Sequence, residues 1–254
     1  MLKTVRATLY AATASLALAM SMAAGPLAPT PAMAQDVIVP ADELNAAIRR
    51  YLLENPEVII QALELYRDEQ EAQQAQAQAD ALKRMAPQLT RLGIDPIAGN
   101  PDGSVTMVEF FDYQCGFCKR MHADKDTAVA NDGDVRIVYK ELPILGPMSE
   151  VASRAALAAR AQDKYLEMHN ALMTHNGRLS EAVIFDYARK LGLDVDQLRA
   201  EMQSEAVGEV LATNRSLARA LNITGTPALI IGDGLYPGAM TLAELEDAIA
   251  AARG

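Results

Sequence analysis

Two cysteines stand in this 254-residue chain, Cys115 and Cys118, with Gly116-Phe117 between them in the stretch EFFDYQCGFCKRMH. Thiols at that spacing can staple the chain, clip a metal or exchange with other disulfides. As a staple the pair contributes little, because closing so short a loop removes little entropy from the unfolded chain. As a metal clip it needs more ligands. His122, His169 and His175 are the only histidines, and the long gap from Cys118 to His169 is unlike a finger-type spacing. Transient Cu(I) on the reduced dithiol stays open, since soft thiolates favour that ion. As a reactive dithiol the pair has suitable surroundings. A strand-like run leads into Cys115 and a helix opens on it, where unpaired N–H groups and the helix dipole favour an anion. Such positions bring a thiol pKa from ~8.5 toward ~3.5–7.5. Lys119 and Arg120 add positive charge one turn on, whereas Glu109 and Asp112 oppose it. A Cys115 thiolate would attack a disulfide, and Cys118 would resolve the mixed intermediate.

The elements that must position this pair are legible around it. SVTMVEFFDY, residues 104–113, predicts a buried strand, residues 115–130 a helix, and DVRIVYKELPI, residues 134–144, a second strand. Strand, helix, strand is a βαβ unit. Residues 149 to about 221 keep helical spacing, with breaks near Gly177 and Gly192. TPALIIGDGLYPGAM restores strand character as a hairpin around residues 232–234. Thr241 then caps a short closing helix, with Glu244 three residues on completing a capping box. The pattern is an α/β domain carrying a helical insertion.

The chain before this domain reads differently. In residues 1–34, Lys3 and Arg6 precede an uncharged apolar run that ends at Ala32-Met33-Ala34, the pattern of a secretory signal peptide cut before Gln35. A retained membrane anchor is the alternative, disfavoured by Gly25, Pro26, Pro29 and Pro31. Export matters to the cysteines, because disulfides persist in oxidising compartments. Without Lys3 and Arg6 the chain holds 21 basic against 33 acidic residues, a net charge of −12, which argues against nucleic acid as a partner. Residues 35–92 form a helical arm, read as helices over about 42–53 and 56–85. Leu44, Ile48, Tyr51, Leu52, Ile59, Leu63 and Tyr66 make one apolar face. RDEQEAQQAQAQADA, residues 67–81, has no large apolar side chain, as in a helix that bridges solvent. Self-association through the apolar face is the favoured reading, and folding back onto its own domain is the alternative. GIDPIAGNPDG, residues 93–103, reads as the boundary.

Taken together, Cys-Gly-Phe-Cys at a strand-to-helix junction and a distant Thr226-Pro227 opening a strand resemble the thioredoxin fold. EFFDYQCGFCKRMH, ELPILGPMSEVASRAALAA and ITGTPALIIG resemble its DsbA-like branch. The arm, with YLLENPEVIIQALE, is similar to the ScsC-like and Com1-like members. The resemblance implies a thioredoxin fold over residues 93–254 with a helical insertion at about 149–221. It implies Cys115 as nucleophile, Cys118 as resolving thiol and Gly116-Phe117 as the tuning dipeptide. Pro227 would be a cis-proline facing the cysteines, and Thr226 would pair its backbone with a substrate peptide. Glu109 would accept or relay the Cys118 proton, against the alternative of a partly exposed strand glutamate. No cofactor is implied beyond the redox-active Cys115–Cys118 disulfide, and no metal. Strongly oxidising relatives carry Cys-Pro-His-Cys; Gly-Phe here implies a potential below their ~−120 mV extreme. The expected activity is therefore that of a periplasmic disulfide isomerase or reductase acting on misoxidised proteins. A dithiol oxidase is the alternative, and a copper-handling module a second. Expected partners are cysteine-containing exported clients, a membrane redox partner and further copies of the chain, a trimer among the candidate copy numbers.

Overall fold

The computed structural model describes residues 40–91 and 93–253. The signal-peptide reading falls on residues 1–34, outside the described residues. Among the described residues no helix is long and apolar enough to cross a membrane. Two compact units are present, the first ending at Ile59 and the second beginning at Ile60.

In the first unit α1 spans Ala41–Glu54 and buries none of its residues. Asn55 closes it, with its backbone and side-chain N–H groups both donating to the Tyr51 carbonyl. The next helix, α2, spans Glu57–Leu89, four residues beyond the end expected from its sequence. The extension has a packing cause. From Ile60 on, α2 belongs to the second unit; there Leu82 and Leu89 are buried against that unit's own sheet, and that burial favours helix beyond the Gln/Ala tract.

The second unit is built on a five-stranded sheet in the order β1-β3-β2-β4-β5. Its strands are β1 (Ile97–Gly99), β2 (Val105–Phe111), β3 (Val135–Glu141), β4 (Ala228–Ile231) and β5 (Gly234–Pro237). Central β2 runs parallel to β3 through α3 (Gly116–Asp132) and antiparallel to β4. Side chains alternate along β2. Met107 and Phe111 join one apolar cluster with Met121 and Ala128 of α3. Val108 and Phe110 join the other, with Leu82 and Leu89 of α2 and Leu217. Both faces are thus covered, which is why β2 and β3 read as nearly continuous apolar runs. The same alternation sends Glu109 to the α3 side.

Between β3 and β4 lie α4 (Pro147–Ala158), α5 (Tyr165–Thr174), α6 (Glu181–Lys190), α7 (Val195–Glu201) and α8 (Glu205–Ala220). Ser180, Asp194 and Ser204 each cap a helix with a side-chain oxygen. The closing helix α9 (Leu242–Ala251) carries the expected capping box: Thr241 accepts from the Glu244 N–H, and Glu244 accepts from the Thr241 N–H at 2.8 Å. Strand β1 lies inside the stretch read from sequence as a boundary. It pairs antiparallel with β3. Gly99 makes this approach feasible, with φ of 70° and a position where any Cβ would run into the Val135 carbonyl.

Candidate active site

Strand β2 delivers the chain to Asp112, whose carboxylate is buried and accepts the backbone N–H groups of Gln114 at 2.7 Å, Ile144 at 2.9 Å and Leu145 at 3.0 Å. These bonds hold the turn that carries the cysteines against the segment leaving β3. Cys115 follows as the N-cap of α3, in extended conformation, and its sulfur accepts the Cys118 N–H at 3.4 Å. The Cys115 thiol donates to the Thr226 carbonyl at 3.1 Å. Thr226–Pro227 is a cis peptide, and Pro227 opens directly into β4. The structure therefore brings Cys115, Cys118, Thr226 and Pro227 together from elements more than a hundred residues apart.

Both cysteines are thiols here, and their electrostatics differ sharply. The Cys118 thiol, as donor to Cys115, holds the Cys115 pKa down to about 5, and the N–H groups opening α3 assist against the opposing effect of burial. Cys118 itself is pushed far up, first by that same hydrogen bond and then by burial, with the Glu109 charge adding to it. The sequence reading rests the Cys115 shift on the N–H groups and dipole at the start of the helix, with Lys119 and Arg120 adding positive charge; the N–H groups contribute, and the two cations do not. Those cations are engaged elsewhere: Lys119 Nζ donates to the carbonyls of Leu172, Met173 and His175 at 2.6, 3.3 and 3.0 Å, and the Arg120 guanidinium lies 4.4 Å over the Phe117 ring. Direct hydrogen bonds outweigh charges held a turn away. Gly116 and Phe117 are both exposed, Phe117 to 59%.

Glu109 is fully buried, not partly exposed. Its Oε2 lies 2.7 Å from Nζ of Lys125, itself wholly buried on α3. Burial is the largest single influence on Lys125 and lowers its pKa; the Glu109 carboxylate, together with Tyr139 and Asp126, overcomes it, so the pKa is raised. Tyr139 adds its hydroxyl 3.3 Å from the same ammonium. The sequence reading gave Lys125 no role, yet a signal existed. It stands seven residues after Cys118 and so shares its buried helix face with Met121 and Ala128, where a charge needs a partner.

A second buried network was also missed. Glu141, at the end of β3, accepts the hydroxyls of Tyr113 at 3.0 Å and Tyr165 at 2.9 Å. Burial raises its pKa to about 8. His169 sits 3.0 Å from the Tyr113 hydroxyl through Nδ1, and burial drives its pKa well down. His175 instead meets the Tyr187 hydroxyl at 3.0 Å. Among the described residues no three His, Cys, Asp or Glu side chains gather into a metal-holding group.

The model of the DSBA-like thioredoxin domain matches residues 106–250, and that of the copper resistance protein ScsC N-terminal domain matches residues 42–73. Among solved structures, a thioredoxin-like oxidoreductase of Silicibacter pomeroyi is 43% identical, covering 66% of this chain and 96% of its own, with a TM-score of 0.64. The thiol-disulfide exchange protein alpha-DsbA2 of Wolbachia pipientis is 32% identical, covering 70% and 96%, at 0.65. A linker-deletion mutant of Proteus mirabilis ScsC is 28% identical, covering 86% and 98%, at 0.66. The chain spans about a quarter of the length of the curated relatives it matches. These are Na(+)/H(+) antiporters such as NhaA 1 of Salinispora arenicola, 28% identical over 160 residues, 62% of this chain and 24% of that one. A thioredoxin-type sheet, a dithiol at its strand-to-helix junction and a domain match over more than half the chain have one common meaning: this chain belongs to the DsbA-like thioredoxin family of thiol-disulfide oxidoreductases, with an ScsC-type N-terminal region.

Proposed function

We propose that the chain acts as an exported thiol:disulfide isomerase or reductase on misoxidised proteins, with Cys115 as nucleophile and Cys118 as resolving thiol. The opposed pKa shifts of the two cysteines carry this reading. A thiol near pKa 5 is ionised at neutral pH and is a good leaving group. Cys118, buried and shifted up, attacks only after losing a proton that the site must accept. A mixed disulfide therefore persists long enough for a second client thiol to attack the client sulfur and expel Cys115, which rearranges the client without net oxidation. A Cys115 pKa of about 5 also lies between the ~3.5 of the strongest oxidant and the ~7 of a reductant. Thr226 and Pro227 would align the client beside Cys115, with Gly116-Phe117 at its exposed rim. The test measures the reduction potential in a glutathione buffer together with two refolding assays. A potential well below ~−120 mV, with rescue of a scrambled substrate and not of a reduced one, is the expected outcome. The opposite pattern identifies a dithiol oxidase, and stoichiometric Cu(I) with activity surviving loss of Cys118 identifies a copper-handling module.

The same reading makes the chain an oligomer through its N-terminal helices. Leu44, Ile48, Tyr51, Ile59, Leu63 and Tyr66 are each 44–60% exposed, and an amphipathic helix gains stability by covering such a stripe. Light scattering on the full chain should give a multiple of the monomer mass, and Ile59→Asp with Leu63→Asp should give the monomer. A monomeric parent chain would refute self-association.

A further inference from the structure

A pocket of about 270 Å³ is walled by Gln114 and Gly116, the neighbours of Cys115 in the chain, and by Lys119, His175, Asn176 and Arg178, and no acidic residue among those described lines it. Three features of its wall point to an anion. Lys119 has its donors committed to three carbonyls of α5 and the turn after it, so its charge is fixed in place. His175 is held through Nδ1 by Tyr187, and its Nε2 is buried with no protein partner. Arg178 is exposed and forms no side-chain hydrogen bond or ion pair among the described residues. Arg120, held over Phe117, adds a third cation next to Gly116, though it does not line the pocket. The acids nearest Cys115 in sequence are withdrawn: Asp112 is saturated by backbone N–H groups and Glu109 is paired with Lys125. This local positive charge runs against a chain whose net charge is −10.

We propose that this pocket is a carboxylate subsite of the dithiol, which receives the acidic group of a disulfide while Cys115 attacks its sulfur. The proposal rests on the exchange reaction proposed above. The Arg178 fork offers two parallel donors to a carboxylate, His175 Nε2 donates one more hydrogen bond in the tautomer whose Nδ1 accepts from the Tyr187 hydroxyl, and the pinned Lys119 charge favours the anion without needing to move. The Cys115 thiolate forms a bond to one substrate sulfur, and the other half leaves as a thiolate that takes a proton from solvent. Cys118 then loses its proton and attacks Cys115, forming the Cys115–Cys118 disulfide and expelling the second half as a thiol. The substrate disulfide gains two electrons and the protein dithiol loses two. Carboxylates of this kind come from small acidic thiols or from an acidic side chain beside a client cysteine.

Two rate ratios test this on the reduced full-length protein. One compares glutathione disulfide with neutral 2-hydroxyethyl disulfide; the other compares two peptide disulfides that differ only in Glu or Gln beside the cysteine. Arg178→Ala should lower at least one ratio about tenfold, Arg178→Glu should lower it further, and Arg178→Lys should restore part of it. A fall confined to glutathione assigns the subsite to small thiols, and one confined to the peptides assigns it to client side chains; either upholds it. Both ratios staying within twofold of the parent would overturn the subsite while leaving the exchange reaction intact. Failure of the parent protein to exchange even with the neutral disulfide would overturn the exchange reaction itself, and the subsite with it.

Discussion

Alkylation of reduced Cys115 is expected to titrate with a midpoint near pH 5, and Cys118→Ala is expected to halt turnover at a mixed disulfide. The two results have one cause. The largest influence on Cys115 is the Cys118 thiol donating to it, so the same substitution should move the midpoint upward while removing the resolving group. A folded-state pKa below the ordinary thiol value has a definite linkage sign. The thiolate stabilises the reduced fold fully above the ordinary thiol range, and that contribution is lost as pH falls through about 5. Thermal unfolding of the reduced chain should therefore lose stability across this window relative to the disulfide form, which has no thiolate to protonate. Client proteins captured through Cys115 should be released by reductant, and Cys115→Ala should capture none. A midpoint near pH 8–9, the range of an ordinary thiol, or continued turnover by Cys118→Ala, would refute the assignment of nucleophile and resolving thiol.

The second large effect belongs to the buried pair. Lys125→Met should cost about 3–5 kcal/mol, because it strands the Glu109 carboxylate, only 1% exposed, without its partner. The double variant Glu109→Gln with Lys125→Met should recover much of that loss, since removing both charges also removes the desolvation penalty. Denaturant unfolding of the three proteins reads this directly, and a loss under ~1 kcal/mol for Lys125→Met would contradict a tight buried pair. A functional readout separates packing from proton transfer. If Glu109 accepts the Cys118 proton, Glu109→Gln should slow decay of a preformed mixed disulfide by roughly 10²-fold, while leaving the alkylation midpoint of Cys115 near 5. Unchanged decay would reduce Glu109 to a structural partner of Lys125.

Much of the site lies in one continuous stretch, which is why it was legible. Cys115, Gly116, Phe117 and Cys118 occupy a turn and a first helical turn, and local rules of capping act over those distances; Asp112, read only as an opposing charge, holds the turn through backbone N–H groups that its sequence position did not reveal. Thr226-Pro227 became legible only through family resemblance, because nothing local marks that peptide bond as cis. The Thr241 and Glu244 capping box was legible for the opposite reason, since all its partners lie within four residues. Strand β1 was not. Its three residues are glycine- and proline-flanked, and they become a strand only because β3 offers an unpaired edge.

The amino-acid sequence by itself determined the order of elements, the dithiol and its place at a helix N-terminus, the capping of α9 and the amphipathic character of the N-terminal helices. Each follows from periodicity or from hydrogen bonds that span a few residues. Tertiary structure alone decided which charge meets which. Glu109 and Lys125 are sixteen residues apart and pair because β2 alternation and the α3 helical repeat aim both at one interface. Glu141, Tyr113 and the α5 pair Tyr165 and His169 converge from three separate segments. Lys119 points to the α5 carbonyls, and Cys118 takes over the role of lowering the Cys115 pKa. Sequence spacing carries no information on such meetings, because Coulomb and hydrogen-bond energies depend on distance and burial in space, and packing of the sheet against its helices sets both.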